Sequence, residues 1–206
     1  MHAMRPIQII EYGVGNKKSL MNAIAALGLE SVLRVKAADI DPSAPIILPG
    51  VGSFSFCKKK LVEADLFDPL LKLLHEGNPV CFVGICVGMQ LLFEESVEDG
   101  VNAGFGYFEG RVSSLRQEVG LLSNNPVRFP NTHWENIVGV EQRGPYYFTH
   151  SYGNLNSRDR VAYYELGGMQ VTATASRGAV TGFQFHPEKS AGQGLDLLAR
   201  ILNQTY

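Results

Sequence analysis

No run of about 18 apolar residues occurs in the chain, so nothing in it has the length of a membrane-crossing helix. Residues 1–6 also lack the apolar segment of a signal peptide. Cysteine is scarce: Cys57, Cys81 and Cys86 have neither the even count of a disulfide framework nor a metal-ligand spacing. Together these absences point to a reducing compartment, the cytoplasm. Charged residues are only 18% of the chain and the formal net charge is −2, which gives no electrostatic case for binding nucleic acid or an anionic membrane. Linkers, internal repeats and low-complexity stretches are missing too, so residues 1–206 read as one domain. A hydrophobic content of 45% is enough for an ordinary packed core.

What is present centres on residues 79–94. Residues 80–85 are a short apolar run entered through Pro79 and read as a strand, and residues 89–94 are good helix formers. Between them, Gly84-Ile85-Cys86-Val87-Gly88 is the thiol counterpart of the Gly-x-Ser-x-Gly nucleophile elbow, in which flanking glycines remove Cβ atoms that would clash. Such a turn lifts Cys86 above a sheet. The helix that follows offers free N–H groups and a positive dipole end, which favour a thiolate and supply the Val87 amide as an oxyanion donor. Taken alone, the pattern also fits a packing turn around a buried cysteine. A hundred residues on, a strand-like run ends in His186, Pro187 stops strand pairing, and Glu188 can turn its carboxylate back to the imidazole. Nucleophile, base and orienting acid then follow in the order Cys86, His186, Glu188.

The remaining chain alternates strands and helices at first. Residues 7–10 read as a strand, 11–16 as a turn, and a helix runs to about Leu27, where Gly28 ends it. Gly13-Val14-Gly15 lacks the third glycine of a dinucleotide fingerprint. Residues 31–35 and 46–48 are further strands, the latter running into Pro49-Gly50-Val51-Gly52. Two glycines there either make a simple turn or let backbone N–H groups approach a developing negative charge. Residues 58–75 predict a helix pair broken near Asp68-Pro69, and the acidic run 94–100 predicts a solvated surface. From Gly104 the texture changes to short strand-like pieces, 106–112, 126–129, 137–140 and 146–150, with an antiparallel character. Residues 161–164, 169–175 and 179–185 are further strands, and 194–202 the last helix.

The segments Gly84-Ile85-Cys86-Val87-Gly88-Met89-Gln90 and Phe185-His186-Pro187-Glu188 resemble the class I, triad-type glutamine amidotransferases. Their extensions through Glu94 and Ser190 further resemble the glutaminase subunits of imidazole glycerol phosphate synthase and their paralogues, over about residues 7–202. The resemblance implies a flavodoxin-like α/β fold: a central, mostly parallel sheet with flanking helices and an additional antiparallel region in the second half. It implies hydrolysis of L-glutamine without metal or organic cofactor, with Val51, Gly52 and Val87 forming the oxyanion hole. Gln90, Glu98, His150, Ser151 and Tyr152 would hold the glutamine. It also implies a heterodimer with a (β/α)₈-barrel cyclase or synthase subunit that receives the ammonia. The turn carrying Tyr12, Gly13 and Asn16 and the loop carrying Asn131, His133 and Trp134 would face that partner.

Two departures stand out. Glu11 replaces the family's usual Asp. In the loop 130–136, Pro130 and Trp134 agree with the family's Pro-His-x-Gly-Trp-Asn, but Asn131, His133 and Glu135 replace His, Gly and Asn. A histidine in place of glycine changes either the loop path or the partner. Histidine biosynthesis is the first reading, and the alternative is a paralogue supplying ammonia for sugar amidination in cell-surface polysaccharide synthesis.

Overall fold

Strands buried on both faces form the centre of the computed structural model, which describes residues 5–122, 128–139 and 144–203. In the first half, β1 (Ile7–Ile10), α1 (Lys17–Ala26), β2 (Ser31–Arg34), β3 (Ile46–Gly50), α2 (Phe54–Glu63), α3 (Phe67–Glu76), β4 (Phe82–Cys86) and the single turn α4 (Val87–Gln90) follow one another. The second half contributes β5 (Phe93–Ser96), β6 (Asn102–Ala103), β7 (Phe108–Ser114), α5 (Leu115–Leu122), β8 (Asn131–Glu135), β9 (Val138–Gly139) and β10 (Tyr146–His150). It closes with β11 (Tyr152–Asn154), β12 (Arg160–Leu166), β13 (Met169–Arg177), β14 (Val180–Phe183) and α6 (Ala191–Asn203). No helix among the described residues is long and apolar enough to cross a membrane.

The main sheet runs β2-β1-β3-β4-β14-β13-β12-β9. Its first four pairings are parallel and its last three antiparallel. Every residue of β1, β3, β4 and β14 is buried, as expected of parallel strands covered on both faces, and this is why they read as mainly apolar runs, broken only by Gln8 in β1 and Thr181 in β14. A second sheet, β11-β7-β5-β6, and the antiparallel pair β10-β8 make up the rest. The parallel core and the mostly antiparallel second half, in which β5 and β7 alone of the second sheet pair in parallel, agree with the expected architecture.

Helix ends follow their caps. The Asn16 side-chain oxygen accepts the Ser19 N–H at 3.2 Å to start α1, and Ser53 accepts that of Phe56 at 3.3 Å to start α2. Four local expectations are corrected. The break between α2 and α3 falls at residues 64–66, where Asp65 takes a φ of 54°, and not at Pro69. Pro69 is the third residue of α3, where its missing N–H is not needed. The elbow helix lasts one turn, and the acidic stretch after it enters the second sheet as β5, paired with β7. The loop 130–136 is largely the strand β8, with Trp134 opposite Tyr147 on β10. Of the strand expected at 126–129, residues 126 and 127 lie outside the described residues, and 128–129 form no strand.

Candidate active site

Three neighbouring parallel strands bring the candidate residues together at their carboxyl ends, the usual ligand side of an open α/β sheet. β3 ends in Gly50 and continues into Val51 and Gly52, β4 ends in Cys86, and β14 leads through Gln184 and Phe185 to His186. Gly50 pairs with Cys86 and Phe183 with Ile85, so the register places these ends side by side.

Cys86 has φ 55° and ψ −111°, a conformation that costs a non-glycine residue free energy and is a mark of nucleophile elbows. The two flanking glycines make room for it. A Cβ on Gly84 would lie 2.7 Å from the Gly88 carbonyl oxygen, and one on Gly88 would collide with the carbonyl oxygen of Leu48.

The imidazole of His186 donates from Nδ1 to Glu188 Oε1 at 2.9 Å, and both side chains are buried. The carboxylate can only accept, so the ring's other nitrogen is left for Cys86. Burial alone would push the His186 pKa down. Hydrogen bonding and charge pairing with Cys86 and Glu188 outweigh it and raise the pKa to about 9. The backbone is fixed as well: His186 N–H donates to the Tyr147 carbonyl at 3.0 Å, and Ser190 Oγ donates to the His186 carbonyl at 2.6 Å.

Cys86 and His186 open onto a pocket of about 250 Å³. Val51, Gly52 and Val87, the expected oxyanion donors, line part of it. Gln90, Glu98, His150, Ser151 and Tyr152 line the remainder, so all eight of the expected oxyanion and glutamine-pocket residues meet around one cavity. Its volume is below the roughly 300–1,000 Å³ typical of pockets for drug-sized ligands. Glu98 Oε2 also accepts the Phe54 N–H at 2.7 Å, and burial raises its pKa.

The residues expected to face a partner separate into two groups. Gly13, Asn16 and Trp134 are exposed and His133 is partly so. Tyr12 is 4% exposed and donates its hydroxyl to the Pro49 carbonyl at 2.6 Å; Asn131 is 7% exposed and donates to the Tyr164 hydroxyl. Both of these side chains are buried within this chain. On β8, Asn131 and His133 share the inward face by strand alternation, and Trp134 points outward. The His133 ring stacks on Phe148 with centroids 5.9 Å apart, and its Nε2 lies 3.3 Å from Glu135.

A model of the glutamine amidotransferase class-I family matches residues 8–204. The chain belongs to this family. Among curated proteins it is 37% identical to the imidazole glycerol phosphate synthase subunit HisH of Zymomonas mobilis, over 98% of this chain and 97% of that protein. It is 34% identical to the subunit of the same name from Oceanobacillus iheyensis, over 94% and 96%. Among solved structures, one described as a glutamine amidotransferase superposes with a TM-score of 0.72 at 19% identity, covering 98% of this chain and 99% of the other. PurLQS from Thermotoga maritima superposes with a TM-score of 0.70, also at 19% identity, covering 98% and 100%. At such identities the two structures speak for the fold.

In this class I amidotransferase three pocket neighbours escaped the sequence reading. Gln184 is buried, accepts from Gln90 Nε2 at 3.1 Å, and turns its own amide nitrogen toward Cys86 Sγ at 3.9 Å. Its signal was a polar residue inside an otherwise apolar run. Tyr164, whose hydroxyl lies 3.0 Å from His150 Nε2, looked like any strand tyrosine. Thr149 lines the pocket directly before His150 and carries no signal of its own.

Proposed function

We propose that this amidotransferase hydrolyses L-glutamine to glutamate and ammonia, and passes the ammonia to a synthase subunit that forms imidazole glycerol phosphate in histidine biosynthesis. The observation that carries the glutaminase reading is the single pocket on which a strained thiol, a carboxylate-held imidazole and the candidate glutamine contacts converge. The Cys86 thiolate adds to the side-chain amide carbon and the carbonyl electrons move onto oxygen. Amide N–H groups at Val51, Gly52 and Val87 face that developing charge. The His186 imidazolium, held charged by its partners, gives its proton to the departing nitrogen as the C–N bond breaks, leaving a thioester on Cys86. His186 then takes a proton from water, the hydroxide adds to the thioester, and glutamate leaves as the thiolate re-forms. Glu188 keeps the Nδ1 proton in place throughout.

A partner is part of the reading because the curated relatives are synthase subunits by name. We assign it a (β/α)₈-barrel architecture, a heterodimer with this chain, and a cytoplasmic setting in which a free thiol persists. Trp134, 49% exposed beside Tyr147 on the outer face of β8, is the docking anchor assigned here. The test follows nitrogen: amide-¹⁵N glutamine is supplied to the chain, the synthase subunit and its acceptor. Label in the imidazole product supports the assignment. Ammonia released with no transfer to that acceptor favours the sugar-amidination paralogue, and no release from glutamine contradicts the glutaminase itself.

A further inference from the structure

The segment that supplies two candidate oxyanion donors is gripped by its carbonyls from behind. Tyr12, in the turn between β1 and α1, donates its hydroxyl to the Pro49 carbonyl at 2.6 Å. Cys57, on the buried side of α2, donates its thiol to the Val51 carbonyl at 3.3 Å. Both side chains are buried, at 4% and 0% exposure, and they come from different elements. A planar trans peptide sets the Gly52 N–H antiparallel to the Val51 carbonyl. Cys57, by taking that carbonyl, therefore turns the Gly52 N–H away from α2. Gly52 itself lines the pocket, with a φ of 93° open mainly to glycine.

We propose that Tyr12 and Cys57 are positioning residues that clamp the Pro49–Gly52 segment by its carbonyls, Tyr12 fixing the base of the segment at Pro49 and Cys57 aiming the Gly52 N–H at the oxyanion. Neither touches the substrate. Burial keeps both groups protonated as donors at neutral pH: it pushes the Tyr12 phenol well up and the Cys57 thiol to about 11. The inference rests on the glutaminase reading for its catalytic consequence and on geometry alone for the clamp.

The test uses Tyr12→Phe and Cys57→Ala, which delete one donor each, and Cys57→Ser, which restores a hydroxyl donor. In the full chain, hydrogen–deuterium exchange of the peptide spanning residues 46–56 should be faster in the first two variants and return toward wild type in Cys57→Ser. In the complex with the synthase subunit, kcat for glutamine should fall about five- to tenfold in Tyr12→Phe and Cys57→Ala, the scale of one hydrogen bond, with KM within about twofold. Wild-type exchange in both deletion variants overturns the clamp. So does an unchanged kcat, or a Cys57→Ser variant as impaired as Cys57→Ala, since packing and not donation would then explain the loss. If the wild type hydrolyses no glutamine, the glutaminase reading falls while the exchange comparison still decides the clamp.

Discussion

His150 Nδ1 lies 2.7 Å from the Tyr152 carbonyl oxygen, an acceptor only, so the ring carries its proton there and is a neutral imidazole. Its Nε2 then accepts from the Tyr164 hydroxyl. Burial pushes the His150 pKa down to about 4, against the Tyr152 hydrogen bond, while the pKa of His186 is raised to about 9. The two histidines oppose each other in pH. Between about pH 4 and 6.5 the unfolded chain binds a proton that folded His150 refuses, so stability is lost as pH falls through that window. Between about 6.5 and 9 folded His186 keeps a proton that the unfolded chain releases, so its contribution, full below 6.5, is lost as pH rises. Urea denaturation should show the joint contribution peaking near pH 6.5. His150→Gln should flatten the acid limb, worth on the order of 3 kcal/mol, and leave the alkaline limb standing. An acid limb unchanged in that variant would show that other groups produce it.

Gly88→Ala places a methyl against the Leu48 carbonyl of the neighbouring strand, and backbone cannot step aside as a side-chain end can. The expected cost is on the order of 3 kcal/mol, with loss of glutaminase activity as the elbow shifts. Thermal denaturation and an ammonia assay on the same preparation measure both. A variant of wild-type stability and rate would mean that β3 and the elbow are not held at this separation.

Glu188→Gln keeps the shape of the triad acid but removes the charge beside Nδ1. The rate constant kcat should fall about 10²- to 10⁴-fold, as for a base left in the wrong tautomer, with a much smaller change in KM. A change confined to KM would move Glu188 from the catalytic group to the binding pocket.

Trp134→Ala should weaken association with the synthase subunit by roughly 2 kcal/mol, the scale of an interfacial aromatic hot spot. Its thermal midpoint in isolation should move little, because the ring is half exposed and its aromatic contact is with Tyr147. Titration calorimetry against the partner and a melting curve separate the two. A stability loss without a binding defect would return the tryptophan to a packing role.

Some of this was legible in residues alone and some was not. β3 and β4 were readable because strands covered on both faces leave near-continuous apolar runs, and β1 and β14 because such runs are interrupted by only one polar residue each, Gln8 and Thr181. The elbow was readable because its glycines answer to a local steric demand. Side-chain direction was not: nothing local states that Tyr12 turns inward to Pro49 while neighbouring Gly13 stays outside. Leu91-Leu92-Phe93 suits helix and strand alike, and pairing of Phe93–Ser96 with β7 chose the strand. Pro69 looked like the breaker, although the third helical position tolerates it. β8 was hidden by Pro130 and the asparagines around it, even though Thr132, His133 and Trp134 are compatible with a strand.

The most direct measurement is the mass of the chain, and of its peptides, after incubation with a chloroketone analogue of glutamine in the presence and absence of excess L-glutamine. Buried Cys57 and Cys81 have pKa values raised to about 11 and 12 and should stay unmodified. A single adduct is expected, on the peptide containing Cys86, and L-glutamine should suppress it. An adduct on any other residue, or one on Cys86 that glutamine does not protect, would contradict this expectation.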